Sequence, residues 1–129
     1  MEKRKSGIYI SPGRKPWPHE MFAAEVLALA GHYVEFLREG DRPSADIWLD
    51  GVAFEIQSPE AFNTNTFEHT LKDATKQSPN IIINMIRMKK VREQKVRMFL
   101  VNQMKKQKQI KRLLLISKSG QIIDISTLI

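Results

Sequence analysis

The 129-residue chain contains no cysteine. That excludes a disulfide framework, a thiolate zinc site and a cysteine nucleophile, and it fits a reducing compartment. Long apolar runs are missing too. Ile81 to Ile83 and Leu113 to Ile116 fall far short of the roughly 20 residues that span a bilayer, and the basic start at Lys3, Arg4 and Lys5 leads into no signal-type apolar stretch. A cytoplasmic protein without a membrane partner is the expectation. The six glycines never assemble into a phosphate loop or a dinucleotide fingerprint, and no serine sits in a Gly-x-Ser-x-Gly elbow. Nucleotide hydrolases, Rossmann enzymes and serine hydrolases are thereby excluded. His19-Glu20 opens like a zinc-protease helix, but the second histidine of that motif would fall on Ala23. His32 follows Gly31 at a helix end, where a histidine complements the dipole, and His69 is expected on the exposed side of a later helix.

What is present is a single-domain length, 42% hydrophobic residues and an uneven charge. The formal net charge is +7, yet Arg87 to Arg112 holds eleven Lys/Arg against one acid, Glu93, a local balance of +10 that leaves −3 for the remainder. A compact basic segment beside a mildly acidic remainder is the footprint of a polyanion-binding surface. A solvated helix face is the plainer reading of the same charges.

Residues 1–18, rich in Lys, Arg, Gly, Ser and Pro and ending in Pro16-Trp17-Pro18, read as a basic arm ahead of a domain spanning 19–129. Helical spacing of Met21, Phe22, Val26, Leu29 and Ala30 predicts a helix over 19–30 closed by Gly31. Tyr33 to Leu37 reads as a strand and Arg38 to Ala45, with Gly40 and Pro43, as a loop. Two short strands follow, 46–49 and 52–57, joined by Asp50-Gly51, a dipeptide suited to the positive φ angles of a two-residue hairpin turn. Phe67, Leu71 and Ala74 mark a helix over 66–77, ended by Pro79. Ile81 to Ile83 form a strand buried on both faces, and a helix from about 90 to 108 is long enough to cross back over a sheet. A terminal pair, 113–117 and 121–125, turns through Lys118-Ser119-Gly120. The order α-β-β-β-α-β-α-β-β predicts an α/β domain on a mixed central sheet.

Chemistry concentrates in the hairpin. Alternation points Glu55 and Gln57 to one side, and pairing through the Asp50-Gly51 turn returns that strand beside Asp46. Two acids and an amide then converge, and two carboxylates are what a hard cation such as Mg²⁺ or Mn²⁺ takes from protein. Glu55 sits among Val52, Phe54 and Ile56, where an exposed carboxylate is not expected and an acid implies a function. Asp46 reads equally as a functional acid and as a strand-start polar residue, and Asp50 as a structural turn residue.

An acid on the first helix (Glu20), Asp46 at a strand start, and Glu55-x-Gln57 in the next strand resemble the PD-(D/E)XK phosphodiesterase superfamily, whose core runs helix, three strands, helix, strand. More closely, Pro18-His19-Glu20, Ala30-Gly31-His32, Val34-Glu35-Phe36-Leu37, Asp46, Asp50-Gly51, Phe54-Glu55-Ile56-Gln57-Ser58-Pro59, Lys76-Gln77-Ser78 with Asn80-Ile81-Ile82-Ile83, and Ile110 to Ile116 with Gly120 resemble the C-terminal tRNA nuclease domain of CdiA-type contact-dependent inhibition toxins. The resemblance implies that Glu20, Asp46 and Glu55 are metal and active-site acids, with Gln57 catalytic and Gln77 and Ser58 near the site. It implies Mg²⁺ or Mn²⁺ as cofactor, RNA such as tRNA in preference to DNA as substrate, and a cognate inhibitor protein. Lys89, Lys90, Arg92, Lys95, Arg97, Lys105, Lys106, Lys108, Lys111 and Arg112 would then hold the nucleic-acid backbone. Two features depart from the family pattern. Gln57 stands where the family has a lysine, as in some restriction endonucleases of the superfamily, and removes a positive charge from the site. The chain also opens on Met1 without a delivery region, which suits a free-standing intracellular relative. The alternative reading is a nuclease-fold protein that has lost turnover with that lysine and binds nucleic acid or a protein partner. The sequence leaves the oligomeric state open.

Overall fold

The computed structural model describes residues 6–38 and 45–129. Most of the loop expected over 38–45 lies outside them. The chain forms β1 (Gly7–Ile10), α1 (Pro18–Leu29), β2 (Tyr33–Phe36), β3 (Ile47–Leu49), β4 (Val52–Gln57), α2 (Thr64–Ala74), β5 (Asn80–Asn84), α3 (Glu93–Lys106), β6 (Arg112–Ile116) and β7 (Ile122–Asp124), closed by a short 3₁₀ turn, Ile125–Leu128. The seven strands form one mixed sheet in sequential order β1 to β7. β1 with β2, β4 with β5 and β5 with β6 are parallel, and the remaining pairs are antiparallel.

The expected mixed α/β arrangement is present, with one strand more than expected. Gly7–Ile10, read from sequence as part of an arm, is an edge strand, because Ile8 packs onto the α1 side of the sheet while the backbone pairs with β2. α1 also differs in its inward face. Ala23, Ala24 and Leu27 are fully buried, whereas Leu29, expected in the apolar stripe, is 90% exposed.

Two apolar clusters sandwich the sheet. Ala23, Ala24 and Leu27 of α1 meet Val34, Phe36, Ile47, Leu49, Phe54, Ile56, Ile82, Leu114 and Ile116 on one face. On the other, Phe67 and Leu71 of α2 and Val96 and Leu100 of α3 cover Ile81, Ile83, Leu113 and Leu115. The Ile81–Ile83 run thus serves both clusters, the double burial that its composition implies. Gln103 and Gln107 tie α3 to α2: the Gln107 side-chain amide donates to Gln103 Oε1 (2.8 Å) and to the Glu68 carbonyl (3.4 Å).

Polar clamps fix both ends of the central strands. At the start of β5, Ser78 Oγ donates to the Ala53 carbonyl (2.8 Å) and accepts from Asn80 N (3.0 Å). At its end, the fully buried Asn84 donates from Nδ2 to the His19 carbonyl (2.9 Å) and to Ser58 Oγ (3.3 Å), and accepts from Ile86 N (3.2 Å). One side chain therefore joins the first turn of α1, the end of β4 and the end of β5. Removing it leaves buried donors and acceptors without partners. Asn84→Ala should lower stability by about 2 kcal/mol, read as a reduced urea midpoint at unchanged denaturant dependence. An unchanged midpoint would show that the clamp contributes nothing.

Candidate active site

The β3–β4 hairpin builds the site. Asp50 and Gly51 take φ angles of 50° and 82°, the left-handed pair that a two-residue turn between twisted strands requires. The turn sets Ile47 opposite Phe54, Trp48 opposite Ala53 and Leu49 opposite Val52, and Asp46, the residue before β3, reaches β4 with its side chain. Phe54 and Ile56 enter the α1-side cluster. Glu55 and Gln57, alternating with them, face the other side, level with Ile81 and Ile83. Asp46 and Glu55 are neighbours whose carboxyls act on each other.

Their environment is unusual for acids. Asp46 Oδ2 accepts from Ile56 N at 2.9 Å, which fixes its carboxyl against the second strand. Glu55 is 8% exposed; its Oε2 accepts from the Gln57 amide at 3.0 Å, and its buried Oε1 meets no hydrogen-bond donor. Burial, together with the neighbouring Asp46 charge, pushes the Glu55 carboxyl up to about 8, against the opposing pull of the Gln57 hydrogen bond. Burial also raises Asp46, opposed by the Ile56 N–H and reinforced by the charge of Glu20. Two adjacent carboxyls can bond to each other only while one keeps a proton.

Glu20 belongs to α1 and has structural duties. Its Oε1 accepts from Trp17 N (2.8 Å) at the helix start and its Oε2 from Arg14 (3.4 Å), while its charge reaches Asp46. Among the described residues no group of three or more His, Cys, Asp or Glu side chains is gathered closely enough to hold a metal ion. Asp46 and Glu55 form a pair, with Glu20 beside it rather than within it. Ser58, the residue after β4, accepts from Asn84 Nδ2 at 3.3 Å.

Gln77 is not brought there. It is exposed in the turn after α2, which ends at Ala74 rather than at 77, and that turn leads into the Ser78 clamp at the opposite end of β5 from Asn84. Arg14, which the sequence reading did not single out, acts on Asp46 through its charge, and Asn84, also not singled out, joins α1 to the ends of β4 and β5. A polar residue closing the Ile81–Ile83 run was the signal for Asn84. Asp50 has the structural role expected of it: it accepts from Tyr33 N (2.8 Å) and meets His32 Nδ1 at 2.6 Å. Partial burial opposes its charge, but these two partners hold its carboxyl below the usual range. His32 therefore closes the hairpin turn onto β2.

The basic residues divide between the two ends of the sheet. α3 runs back from the end of β5 to the start of β6. Lys89, Lys90 and Arg92 precede it at the Asn84 end, Lys95 and Arg97 lie along it, and Lys105, Lys106, Lys108, Lys111 and Arg112 gather at the other end. All but the half-buried Arg97 are exposed. Arg112 lies over the Phe54 ring, 5.1 Å from its centroid.

The Glu55 environment sets a pH dependence. A carboxyl whose pKa is higher in the folded than in the unfolded state binds its proton more tightly when folded, so its stabilising contribution is full below about pH 4.5 and lost as pH rises through about 8. In metal-free buffer the native protein should lose thermal stability across that window. Glu55→Gln, which keeps the shape and removes the ionisation, should flatten the decline and raise the Tm at pH 8 by about 3–6 °C. Parallel curves for the two proteins would show that Glu55 ionises normally.

The family model described as "Contact-dependent growth inhibition CdiA C-terminal domain" matches residues 42–122. Among solved structures, a chain of the "CdiA-CT/CdiI toxin and immunity complex from Burkholderia pseudomallei" is similar, with a TM-score of 0.67 at 18% identity, covering 91% of this chain and 96% of that one. At that identity the likeness concerns the fold. No curated protein matches the chain in sequence. The match over 42–122 takes in β3 through β6 and both acids of the pair, and on it the chain belongs to the CdiA C-terminal domain family of contact-dependent growth inhibition.

Proposed function

We propose that the chain is a toxin nuclease domain of the PD-(D/E)XK type that hydrolyses phosphodiester bonds in RNA, tRNA included, and is restrained by a cognate inhibitor protein. The observation that carries the reading is the Asp46–Glu55 carboxyl pair, Glu55 buried and Asp46 half-buried, with the Gln57 amide beside it. A buried pair of acids is costly unless something neutralises it. The donor set suits a hard divalent cation: two carboxylates from the protein, with water and phosphate oxygens completing the shell. Mg²⁺ or Mn²⁺ held by Asp46 and Glu55 would supply positive charge for the scissile phosphate and an acidified water.

The chain's own residues have separable roles in this reading. Ile56 N–H aims the Asp46 carboxylate. Gln57 donates from its NH₂ to Glu55 Oε2, and its carbonyl oxygen is the acceptor that would orient a water for attack. Glu20, anchored by Arg14 and Trp17 N, adds negative charge beside Asp46 and favours cation binding. The exposed Lys89, Lys90 and Arg92, at the end of the sheet where Gln57 closes β4, hold phosphates next to the acids. The inhibitor proposal draws on the similar fold having been solved as a toxin and immunity complex.

Gln57 supports a second reading, a nuclease fold without turnover, because no charged side chain replaces the family's lysine at that position. Purified protein incubated with total RNA and with plasmid DNA, with Mg²⁺, Mn²⁺ or EDTA, separates the two. The nuclease reading predicts cation-dependent RNA cleavage, reduced at least about 100-fold by Asp46→Ala or Glu55→Ala. Inactive native protein that gains cleavage with Gln57→Lys would favour the second reading. Cleavage that survives EDTA and Asp46→Ala would overturn the site.

A further inference from the structure

A second cationic feature lies at the start of α1. Gly13, Arg14, Lys15, Trp17 and Arg38 line an open cleft of about 430 Å³. Trp17 is 67% exposed, an uncommon state for an indole with no apolar surface against it. Its place is fixed by the backbone. Pro16 and Pro18 flank it, its φ of −68° and ψ of 155° are the extended values that a following proline imposes, and its N–H is bound by Glu20 Oε1. The opposite wall is equally set: Ser11 N donates to the Phe36 carbonyl (2.9 Å), Arg14 N to the Ser11 carbonyl (3.0 Å), and Gly13 turns the chain with φ of 84°. Arg14 is further held between Glu20 and the Phe36 ring.

We infer that this cleft binds an unpaired nucleotide of the RNA, with its base stacked on Trp17 and its phosphate beside Lys15. The assignment rests on the nuclease reading for the identity of the polymer. An exposed ring supplies a stacking face that accepts any base, and adjacent cations supply the backbone contact. The His19 ring lies parallel to Trp17 within 7°, with centroids 6.4 Å apart, and extends the aromatic surface towards α1. Arg14, in the wall of the cleft, and Glu20, its ion-pair partner, both act electrostatically on Asp46. Stacking on Trp17 needs a base that is not paired, so the subsite selects single-stranded segments.

The test is equilibrium binding of a fluorescein-labelled single-stranded RNA hexanucleotide in EDTA, where no cleavage is asked of the protein, followed by KM and kcat for the same oligonucleotide in Mg²⁺. Circular dichroism melts establish that each variant is folded. Trp17→Ala should weaken binding about tenfold or more while Trp17→Phe, which keeps a stacking ring, stays near native. Lys15→Ala should weaken binding several-fold and flatten its salt dependence. In the cleavage assay Trp17→Ala should raise KM more than it lowers kcat. Folded Trp17→Ala and Lys15→Ala proteins that bind the oligonucleotide as tightly as native protein would overturn the assignment, whether or not RNA is cleaved, and would leave the cleft as a contact for a protein partner. Native protein that binds through Trp17 but cleaves nothing would uphold the subsite while the nuclease reading fails.

Discussion

The register of the β3–β4 hairpin is the constraint on which the site depends. A two-residue turn with both φ angles positive allows one pairing, Ile47 with Phe54, and that pairing sets Asp46 against Glu55. A slip of one residue would exchange the faces of β4, driving Glu55 into the cluster under α1 and Phe54 out of it. Three attachments secure the turn and the strand start: Asp50 to Tyr33 N, Asp50 to His32, and Asp46 to Ile56 N. The hydrogen bonds that hold the hairpin therefore also aim the acids.

Holding two neighbouring carboxyls, Glu55 buried and Asp46 half-buried, works against folding, because each charge loses hydration and repels the other. The cost is tolerable here because the surrounding elements are over-determined. Ile82, Leu114 and Ile116 fix β5 and β6 on one face, Ile81, Ile83, Leu113 and Leu115 on the other, and Asn84 and Ser78 clamp the two ends of β5. Perturbed, structurally enforced acids of this kind cluster at functional sites.

Much of this was legible in the residues. The hairpin showed itself through strict alternation around Asp50-Gly51, and the central strand through an unbroken β-branched run. The order of the elements from α1 to β7 followed from turn and period signals. Misreadings came where local signals are weak or shared. Gly7–Ile10 is too short and too close to prolines and glycine to announce a strand, and only its parallel partner β2, distant in sequence, makes it one. α1 is apolar nearly all round, so its period did not reveal that the small Ala23 and Ala24, rather than Leu29, permit close approach to the sheet. α2 begins two residues before the expected Thr66 because Asn63 caps it, accepting from Thr66 N. α3 begins at Glu93 because Lys90 adopts a positive φ that no helix continues. Gln77 was assigned by resemblance to a helix that had already ended. The Trp17 cleft needed the fold, since Arg38 is brought to Gly13–Trp17 only by the pairing of β1 with β2.

The central claim is that Asp46 and Glu55 form one cation site whose cost in the apo protein is a retained proton. Isothermal titration of Mn²⁺ into the protein at pH 7, repeated in buffers of different ionisation enthalpy, measures cation and proton together. The account predicts one bound Mn²⁺ with release of up to one proton, since Glu55, raised to about 8, is still protonated at that pH, and loss of both signals in Asp46→Ala. Binding without proton release, or binding that Asp46→Ala leaves intact, would contradict it.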